Sequence, residues 1–463
     1  MLAEALAGPA CLVMAAAGRA WSMPELADRA AGIARALRPR LGDGPRRLWL
    51  ATTAADELLA TVLAVAGTHS CVLVDPDLTP YEYDTLAAAA PPAAVLAGPA
   101  RSPVQTWAQR RAGSAPGGVV PAPGLGLFTS GTTGRPTLVE LTVEQVVAAA
   151  RGVAGRLRLG PGDTGLALNE LNHTLGFVTT LLAPLLAGGR TVVRGLHEPG
   201  PLGVVTATYR PTWCASSPTL FRRLLRLADT GGLAMPGIRL LRASSAPLTP
   251  VLQQRLGERF GAPVLNAYAM TEAPGEIASQ PLPPAASRPG TVGWPTLCEV
   301  SVRDAAGREL TGATGEIWVR GPTVAHDARG PDGWLRTGDL GIRDAGGELN
   351  LIGRSDDVIN YGGKKFAPQE VEAVAELHPA VVEAVAFPVH DDSLGEKVGL
   401  AVVLGADVSR RELRAHLLGH LSPGKIPQMI RSVPAIPANR RGKVLRRRMA
   451  QLLAALPDTR ELP

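Results

Sequence analysis

The sequence is poor in cysteine and has no long apolar run, and each shortage argues against a class of protein. Its 463 residues include four cysteines, Cys11, Cys71, Cys214 and Cys298. They are far apart and lack metal-like spacing, so we expect reduced, mostly buried thiols in a cytoplasmic protein. No apolar run reaches the roughly 18 residues of a membrane helix, so no membrane span is expected. A signal peptide is not expected either, because the apolar start carries Glu4 and no basic region.

Lysine is the other scarce residue type. All five lysines fall in the last hundred residues, and the other 42 (47 − 5) basic residues are arginine. The formal charge of +6 fits an anionic ligand but gives no argument for nucleic acid. A lysine that survives among arginines is a candidate for a functional role, because the two cations differ in shape and hydration.

The first part of the chain alternates between helix and strand patterns. Residues 24–38 have apolar positions at helical spacing, residues 47–51 and 71–74 are strand-like, and residues 56–66 are helical. The alternation continues to about residue 265, which indicates an α/β fold with largely parallel strands. At 463 residues, with 46% hydrophobic and 19% charged residues, the chain has room for two or three globular domains.

The pattern changes from about Val292 onward. Three short alternating strands (299–304, 315–320 and 348–353), separated by turn residues, predict a small antiparallel β region. A compact segment of helices and strands follows Arg354, and the chain ends in a strongly basic tail. Residues 98–123 are rich in proline, glycine and alanine, which indicates a surface linker. The remaining predictions are helices over 368–377 and 409–421 and strands near 382–388 and 399–404.

A glycine- and threonine-rich stretch lies between two apolar segments, over Phe128–Leu141. Its glycines allow tight backbone turns that bring amide groups close to a ligand, and its hydroxyls add hydrogen-bond donors, so the stretch could bind a polyphosphate. It lacks the lysine of a Walker A loop. A plain glycine-rich turn explains the stretch equally well when it is taken alone.

Six motifs stand along the chain in a fixed order. They are TSGTTGRP (129–136), YAMTEA (268–273), GEIWVRGP (315–322), GWLRTGDLG (333–341), GRSDDVINYGGKKFAPQEVE (353–372) and NRRGKVLRR (439–447). Together they resemble the adenylate-forming superfamily of acyl-CoA synthetases, luciferases and peptide-synthetase adenylation domains. The region after Thr271 is most similar to the acyl-CoA synthetase branch.

The resemblance implies a fold, a reaction and a set of partners. In that superfamily, ATP and a carboxylic acid give an acyl adenylate and pyrophosphate, and a thiol, usually that of CoA, then takes the acyl group. The implied fold is an N-terminal adenylation domain over residues 1–355, which holds α/β subdomains and the small β region. A mobile α+β C-terminal lobe covers residues 356–463. ATP, Mg²⁺, CoA and a small carboxylic acid are the implied ligands.

The resemblance also assigns residues to the two ends of ATP. Glu272 matches the Mg²⁺ ligand, and a carboxylate suits a hard cation. Thr271 would hydrogen-bond the α-phosphate. Tyr268 would lie on the adenine ring, and Asp339 and Arg354 would hold the ribose hydroxyls. The residues that would bind the β- and γ-phosphates are Thr129, Ser130, Gly131, Thr132, Thr133 and Gly134.

Four further positions match the moving part and its channel. Lys443 matches the lysine that bridges the acyl carboxylate and the phosphate, and Asp356 matches the hinge of the lobe. Gly362 and Gly363 match glycines that line the CoA channel, and a tight strand-to-helix turn can hold there as well. A cation within a basic tail is the plain alternative for Lys443.

His173 matches a histidine near the acyl pocket, and a core histidine is the plain alternative. No aspartate-containing motif for a substrate amine is found, which favours a simple carboxylic acid over an α-amino acid.

The chain also departs from the pattern. Thr137 stands where the phosphate loop usually has lysine, Ala269 replaces a glycine that lines the acyl pocket, and Gly275 stands where histidine is frequent. Two alternatives to a CoA ligase therefore stay open. One is an adenylating enzyme that passes the acyl group to a carrier-protein thiol or an amine, and the other is a catalytically inactive nucleotide-binding homologue.

Overall fold

The structure of the chain is a computed structural model. It describes residues 2–6, 8–41, 44–97, 123–130, 136–195, 200–285, 288–438, 444–456 and 459–462, without the side chains of Arg40 and Ser130. The predicted linker at residues 98–123 lies almost entirely outside these ranges.

Helices and strands alternate in the first 280 residues, as the sequence predicts. The described strands are β1 Cys11–Met14, β2 Arg19–Ser22, β3 Arg47–Ala51, β4 Ser70–Leu73, β5 Ala94–Ala97, β6 Gly124–Ser130, β7 Pro136–Thr142, β8 Thr164–Ala167, β9 Arg190–Val193, β10 Trp213–Ser216, β11 Leu240–Ala243, β12 Val264–Met270, β13 Ala273–Ser279, β14 Trp294–Pro295, β15 Glu299–Arg303, β16 Gly315–Arg320, β17 Leu335–Arg343, β18 Leu349–Arg354, β19 Ile359–Tyr361, β20 Lys364–Phe366, β21 Val381–Asp391, β22 Gly395–Leu404, β23 Met429–Ser432 and β24 Arg460–Glu461. The described α-helices are α1 Leu2–Ala5, α2 Met23–Leu41, α3 Ala55–Val65, α4 Pro80–Ala89, α5 Val143–Arg156, α6 Ala183–Leu186, α7 Leu202–Tyr209, α8 Pro218–Asp229, α9 Pro250–Phe260, α10 Pro368–Ala375, α11 Arg410–Leu418 and α12 Met449–Ala454.

Two sheets form the α/β part. The larger sheet has the order β14-β13-β12-β11-β10-β8-β9-β1-β2, and its six central strands run parallel. The smaller one has the order β5-β3-β4-β6-β7 and is parallel except for the β6–β7 pair. Because parallel strands end at the same edge, the loops after β8, β10, β11 and β12 meet in one crevice. The prediction of parallel-rich α/β subdomains is confirmed.

Helix α5 packs between the sheets. Its Ala149, Ala150 and Val153 are fully buried, and small side chains here let the backbone of the neighbouring strand β13 come close. Thr142 caps the helix with a capping box shared with Gln145, which fixes where the helix begins. The helix therefore packs closely against strand β13 of the large sheet.

The last third of the structure holds two further sheets. Strands β15, β16, β17 and β18 form an antiparallel sheet in that order, which confirms the predicted β region and adds β17 to it. Strands β19 to β24 form a six-stranded sheet in which β22–β23 is the parallel pair, and α10 and α11 share its core. No helix among the described residues combines the length and the apolar character that crossing a bilayer requires.

Candidate active site

Two predicted residues, Tyr268 and Arg354, hydrogen-bond the carboxylate of a third, Asp339. Tyr268 donates its phenolic hydrogen to Asp339 Oδ2 over 2.5 Å, and Arg354 Nη1 donates to Asp339 Oδ1 over 3.0 Å. Tyr268 lies 71 positions away from Asp339 in the chain, so this contact depends on the docking of the β region against the large sheet. Charge-assisted bonds of this kind are among the stronger hydrogen bonds in proteins.

The strands of the β region place the carboxylate. Asp339 on β17 lies directly opposite Arg354 on β18. The Asp339 backbone N–H donates to Thr337 Oγ1 over 3.0 Å, and the Thr337 hydroxyl donates to the Ile317 carbonyl of β16 over 2.7 Å. Three adjacent strands therefore hold the Asp339 backbone in one orientation.

Tyr268 is a permanent hydrogen-bond donor in this site. Burial raises the pKa of its phenol well above its usual value, and the nearby Asp339 charge raises it further. The ring is 6% exposed and packs in the core of the β region. At neutral pH the phenol therefore stays protonated and keeps the carboxylate as its acceptor.

Thr271 and Glu272 form the two-residue turn between β12 and β13. Met270 pairs with Ala273 across this hairpin, so both turn residues follow directly after the carboxyl end of β12. The Ala325 N–H donates to the Glu272 carbonyl over 2.7 Å and fixes the backbone of the turn. Glu272 is half-buried.

A single carboxylate at this turn fits Mg²⁺ bound together with phosphate. Among the described residues, no group of three or more histidine, cysteine, aspartate or glutamate side chains is arranged to hold a metal ion. Mg²⁺ commonly keeps several waters and takes one or two protein carboxylates plus phosphate oxygens. Glu272 meets that requirement without further protein ligands.

The predicted phosphate loop connects β6 to β7. These strands pair from Gly124–Thr142 to Ser130–Pro136, so a five-residue connection joins them. The Thr129 hydroxyl donates to the Thr137 carbonyl over 3.3 Å, and the Thr137 side chain is exposed. Outside the described residues lie the Ser130 side chain and Gly131, Thr132, Thr133 and Gly134.

Lys443 also lies outside the described residues, but the chain that follows it is firmly anchored. Arg446 is buried, and its guanidinium donates to both oxygens of Glu372, with an Nη2–Oε2 distance of 3.1 Å. It also donates to the Ala386 carbonyl over 2.9 Å. Arg446 therefore fixes the segment that begins one residue after the predicted catalytic lysine.

A second arginine ties the same segment to the predicted hinge. Arg447 donates to the Asp356 carbonyl over 2.8 Å and 3.1 Å and to the Val358 carbonyl over 3.2 Å, and it pairs with Glu396. Asp356 lies in a single 3₁₀ turn, Ser355–Asp357, directly after β18. In the sequence both arginines read as part of a basic tail, and their position beside Lys443 was the available signal of an anchoring role.

His173 begins the apolar helix below the crevice. Its carbonyl accepts from the Phe177 N–H over 2.7 Å, and residues Leu175–Leu182 form a π-helix, a feature that is frequent at functional sites. The His173 Nε2 atom is buried, lies 3.6 Å from Glu170 Oε2 and has no hydrogen bond within the described part of the chain. A buried ring nitrogen that lacks a hydrogen bond within the described residues is compatible with a ligand contact.

Polar residues that the sequence analysis missed follow the parallel strands at the crevice. The Asn169 side chain donates to the Ala215 carbonyl over 2.7 Å and accepts from Ser216 Oγ over 2.9 Å, which links the loop after β8 to β10. Ser245, after β11, has a φ of +72°. Ala269, on β12, is half-buried. Position directly after a parallel strand was the available signal.

Gly362 and Gly363 form the turn of the β19–β20 hairpin, with φ values of +54° and +85°. The prediction of a strand-to-helix turn is wrong, because both residues connect two strands. Positive φ at both turn positions is what a two-residue hairpin requires, and this explains the pair of glycines.

Comparison with known proteins identifies the family. The model of the AMP-binding enzyme family matches residues 125–327, and that of the AMP-binding enzyme C-terminal domain matches residues 370–443. A probable CoA ligase of Humulus lupulus is 35% identical over 353 residues, which cover 73% of this chain and 67% of that protein. The oxalate–CoA ligase of Arabidopsis thaliana and the sulfoacetate–CoA ligase of Cupriavidus necator are each 36% identical over 70% of this chain and 66% of theirs. The alignments thus span about two thirds of each relative.

Solved structures agree with these matches over nearly the full chain. ATP-bound MatB of Rhodopseudomonas palustris has a TM-score of 0.83 at 26% identity and covers 98% of this chain and 97% of its own. The apo form of the same protein has a TM-score of 0.73 and covers 96% of each chain. The amide bond synthetase McbA of Marinactinospora thermotolerans has a TM-score of 0.81 at 26% identity, with coverage of 96% and 97%. The chain therefore belongs to the AMP-binding enzyme family, the adenylate-forming superfamily that its six motifs predicted.

Proposed function

We propose that the chain is an AMP-forming acid–CoA ligase. In the first half-reaction, a substrate carboxylate oxygen attacks the α-phosphorus of ATP, the bond to the bridging oxygen breaks, and pyrophosphate leaves. In the second, the CoA sulfur attacks the acyl carbon and AMP leaves as the thioester forms. The observation that best supports this proposal is the Asp339 carboxylate, which is held between Tyr268 and Arg354. Tyr268 lies on the same strand as Met270, where the Thr271–Glu272 turn begins.

The nucleoside end of ATP would bind at this carboxylate. Two acceptor oxygens on one rigid strand match a ribose diol, and the Arg354 guanidinium adds donors toward the same hydroxyls. Tyr268 would contribute by holding Asp339 through its hydroxyl, because its ring packs in the core of the β region. Because three strands fix the Asp339 backbone, the nucleoside would bind to a site that is already organised.

The phosphate end of ATP would reach the hairpin turn. Thr271 would donate to the α-phosphate, and the β6–β7 loop with Thr129 would hold the outer phosphates. Glu272 would hold Mg²⁺, which supplies charge neutralisation when bound. With Thr137 in place of the usual lysine, Lys443 is the residue that would neutralise charge between the acid and the α-phosphate.

The acid would enter beside the π-helix. His173 would face it with a free Nε2 atom, and Ala269 would narrow the pocket on the β12 side. A small carboxylic acid is the substrate class we propose, since relatives act on oxalate and sulfoacetate by name. The cytoplasm is the proposed location.

We place the division between an adenylation domain and a mobile C-terminal lobe at residues 355 and 356. In support, the chain leaves the four-stranded sheet at Arg354 and enters the six-stranded sheet at Ile359, with a single 3₁₀ turn between them. The β19–β20 hairpin with Gly362 and Gly363 belongs to the lobe and would line the CoA channel.

Exchange of labelled pyrophosphate into ATP tests the first half-reaction. The purified protein should show exchange that depends on one acid from a panel of oxalate, malonate, sulfoacetate, aliphatic acids and aryl acids. The same acid should then give a CoA thioester, detected by mass. If no acid supports exchange, the chain is an inactive homologue and the proposal is wrong.

A second candidate acceptor is an amine. The specific support is McbA, an amide bond synthetase that this chain resembles over nearly its whole length. Incubating the active acid with ATP and either CoA or a set of primary amines separates the two. Amide formation without thioester formation would favour the amine acceptor.

A further inference from the structure

A buried ion pair connects the proposed lobe to the adenylation domain. Arg222 of helix α8 donates to Glu376 Oε1 over 2.6 Å and lies 3.6 Å from Glu383 Oε1. The three side chains are only 10%, 4% and 12% exposed. The two carboxylates belong to the lobe and the guanidinium to the domain, so the pair exists only while the parts are docked.

Two further groups complete the arrangement around Glu376. The hydroxyl of Thr249, the residue that caps helix α9, donates to Glu376 Oε2 over 2.6 Å. The Ala384 N–H donates to Oε1 over 3.2 Å. We call Arg222, Thr249, Glu376 and Glu383 the interlobe cluster. Its oxygens receive donors from both parts of the protein, which makes the docked orientation specific.

Arg222 is the single cation of the interlobe cluster. One guanidinium faces two buried carboxylates, and removing one partner of a buried pair is strongly destabilising because it leaves an unpaired charge. Here the unfavourable charge can be relieved by undocking, which returns both carboxylates to water. We therefore expect loss of Arg222 to weaken docking more than it weakens either part.

The docked arrangement resembles one state of a relative more than another. The chain has a TM-score of 0.83 to MatB with ATP and 0.73 to apo MatB, although both structures are of the same protein. The described chain resumes at Val444, one residue after Lys443, and Arg446 anchors it within the lobe by its bond to Glu372. The orientation of the lobe therefore determines where that lysine can reach.

We propose that Arg222 is a positioning residue for acyl adenylate formation. It holds the lobe in the docked orientation, in which Lys443 would act on the acid and the α-phosphate, and it is not needed for transfer to the thiol. The inference rests on the proposed function. It predicts that the two half-reactions respond differently to one substitution.

The test compares Arg222→Gln with wild type in each half-reaction. Acid-dependent pyrophosphate exchange should fall on the order of tenfold or more, since breaking a buried pair costs several kcal/mol. Thioester formation from a supplied acyl adenylate and CoA should stay within about twofold, which corresponds to less than 0.5 kcal/mol. Arg226→Gln is the matched control, because Arg226 lies on the same helix and lines the same groove outside the cluster.

A second measurement does not depend on activity. Spin labels at Arg308→Cys in the domain and Asp392→Cys in the lobe occupy positions whose native side chains are 80% and 102% exposed. With ATP and Mg²⁺, Arg222→Gln should broaden the interlobe distance distribution, and Arg226→Gln should not. An unchanged distribution, or an equal fall in both half-reactions, would overturn the positioning role. If wild type lacks exchange with every acid but the broadening is seen, the proposed function fails while the cluster still holds the lobe.

Discussion

At the scale of single residues, Asp339 is the acceptor on which the proposed nucleotide site depends. Asp339→Asn replaces one acceptor oxygen with an amide donor, which cannot accept from Tyr268, Arg354 or a ribose hydroxyl. Hydrogen bonds to charged groups contribute about 1.5–3 kcal/mol each, so kcat/KM for ATP should fall roughly 10- to 100-fold. Pyrophosphate exchange at varied ATP concentration measures the change.

Asp304→Asn is the control for that substitution. Asp304 is a carboxylate beside the same antiparallel sheet, where it bonds Arg308 and the backbone of a surface turn. Its loss should leave kcat/KM for ATP unchanged. Equal effects of the two substitutions on kcat/KM for ATP would mean that the loss caused by Asp339→Asn is not specific to ATP binding.

Ser245 carries backbone strain at the rim of the crevice. Its φ of +72° is costly for a residue with a Cβ, by about 1 kcal/mol or more. Ser245→Gly should therefore raise the free energy of unfolding by about 0.5–1 kcal/mol, once the extra entropy of glycine in the unfolded chain is subtracted. Urea denaturation measures it as a shift of the midpoint with unchanged slope.

The neighbouring Ser244 gives a matched comparison. It is buried, accepts from Arg242 over 3.3 Å and is not among the residues with positive φ, so Ser244→Gly should destabilise the fold. Stabilisation by both substitutions, or by neither, would argue against strain at Ser245.

Motif spacing predicted the residues of the carboxylate site, but not those of the interlobe cluster. Tyr268, Asp339 and Arg354 each stand in a motif with distinctive neighbours. Arg222 stands in the amphipathic run RRLLRL, where an arginine usually indicates a solvated helix face. Its partner Glu376 is 154 positions away, and no local sequence pattern predicts an ion pair that forms only when two parts of the protein dock.

At the scale of elements, the packing of helix α5 against strand β13 leaves no room at Gly275. A Cβ there would lie 2.8 Å from the Ala149 carbonyl oxygen, at a φ of +81°. Gly307 has nearly the same φ, +80°, with nothing within 4 Å of its Cβ position. Gly275→Ala should therefore cost about 1–3 kcal/mol more than Gly307→Ala, because only the first overpacks a contact.

Thermal and urea unfolding of the two variants measure this difference directly. Because the two glycines have nearly the same φ, the cost of backbone strain cancels when the two changes in unfolding free energy are compared. The difference that remains is the steric contribution. Equal stabilities would show that helix and strand can separate at no cost.

Regular elements were predictable where local preference and packing agree. Strand Arg47–Ala51 was predicted to the residue, and the helix expected over 24–38 spans Met23–Leu41. The π-helix was missed, because the apolar run LGFVTTLLAPLL fits any buried helix. Strand β17 was missed because its TGD segment reads as a turn. Pairing with β16 and β18 determines its conformation.

At the scale of the whole molecule, the proposed nucleotide site lies across several sheets, so a bound nucleotide should stabilise the folded state. At a concentration 100 times its Kd, a ligand adds about 2.7 kcal/mol. For a chain of this size, ATP with Mg²⁺ should raise Tm by roughly 3 °C in a thermal scan. Removing Mg²⁺ with a chelator should cancel most of the rise.

Glu272→Gln separates the metal from the nucleotide in that experiment. The variant should respond to ATP with Mg²⁺ as wild type responds to ATP with chelator, because the carboxylate is the protein ligand we propose. A full rise in the variant would assign the metal to other groups.

The arrangement of the sheets was not predictable from the sequence. Local patterns predicted the strands and whether they belong to a parallel or an antiparallel sheet. The contact of β12 with β17, by contrast, depends on burial across distant parts of the chain. Resemblance to a family supplied the division near residue 356, and composition gave no sign of it.

The scarcity of cysteine provides built-in reporters of local opening. Cys71 lies in the five-stranded sheet, Cys214 in the nine-stranded sheet and Cys298 beside the antiparallel sheet, and all three are buried. Burial raises the pKa of Cys71 and Cys214 to about 12, which suppresses the thiolate that labelling reagents attack. Each thiol should therefore react only when its own sheet opens. The rates of thiol labelling, resolved by peptide, would order the unfolding of the three sheets without any added probe.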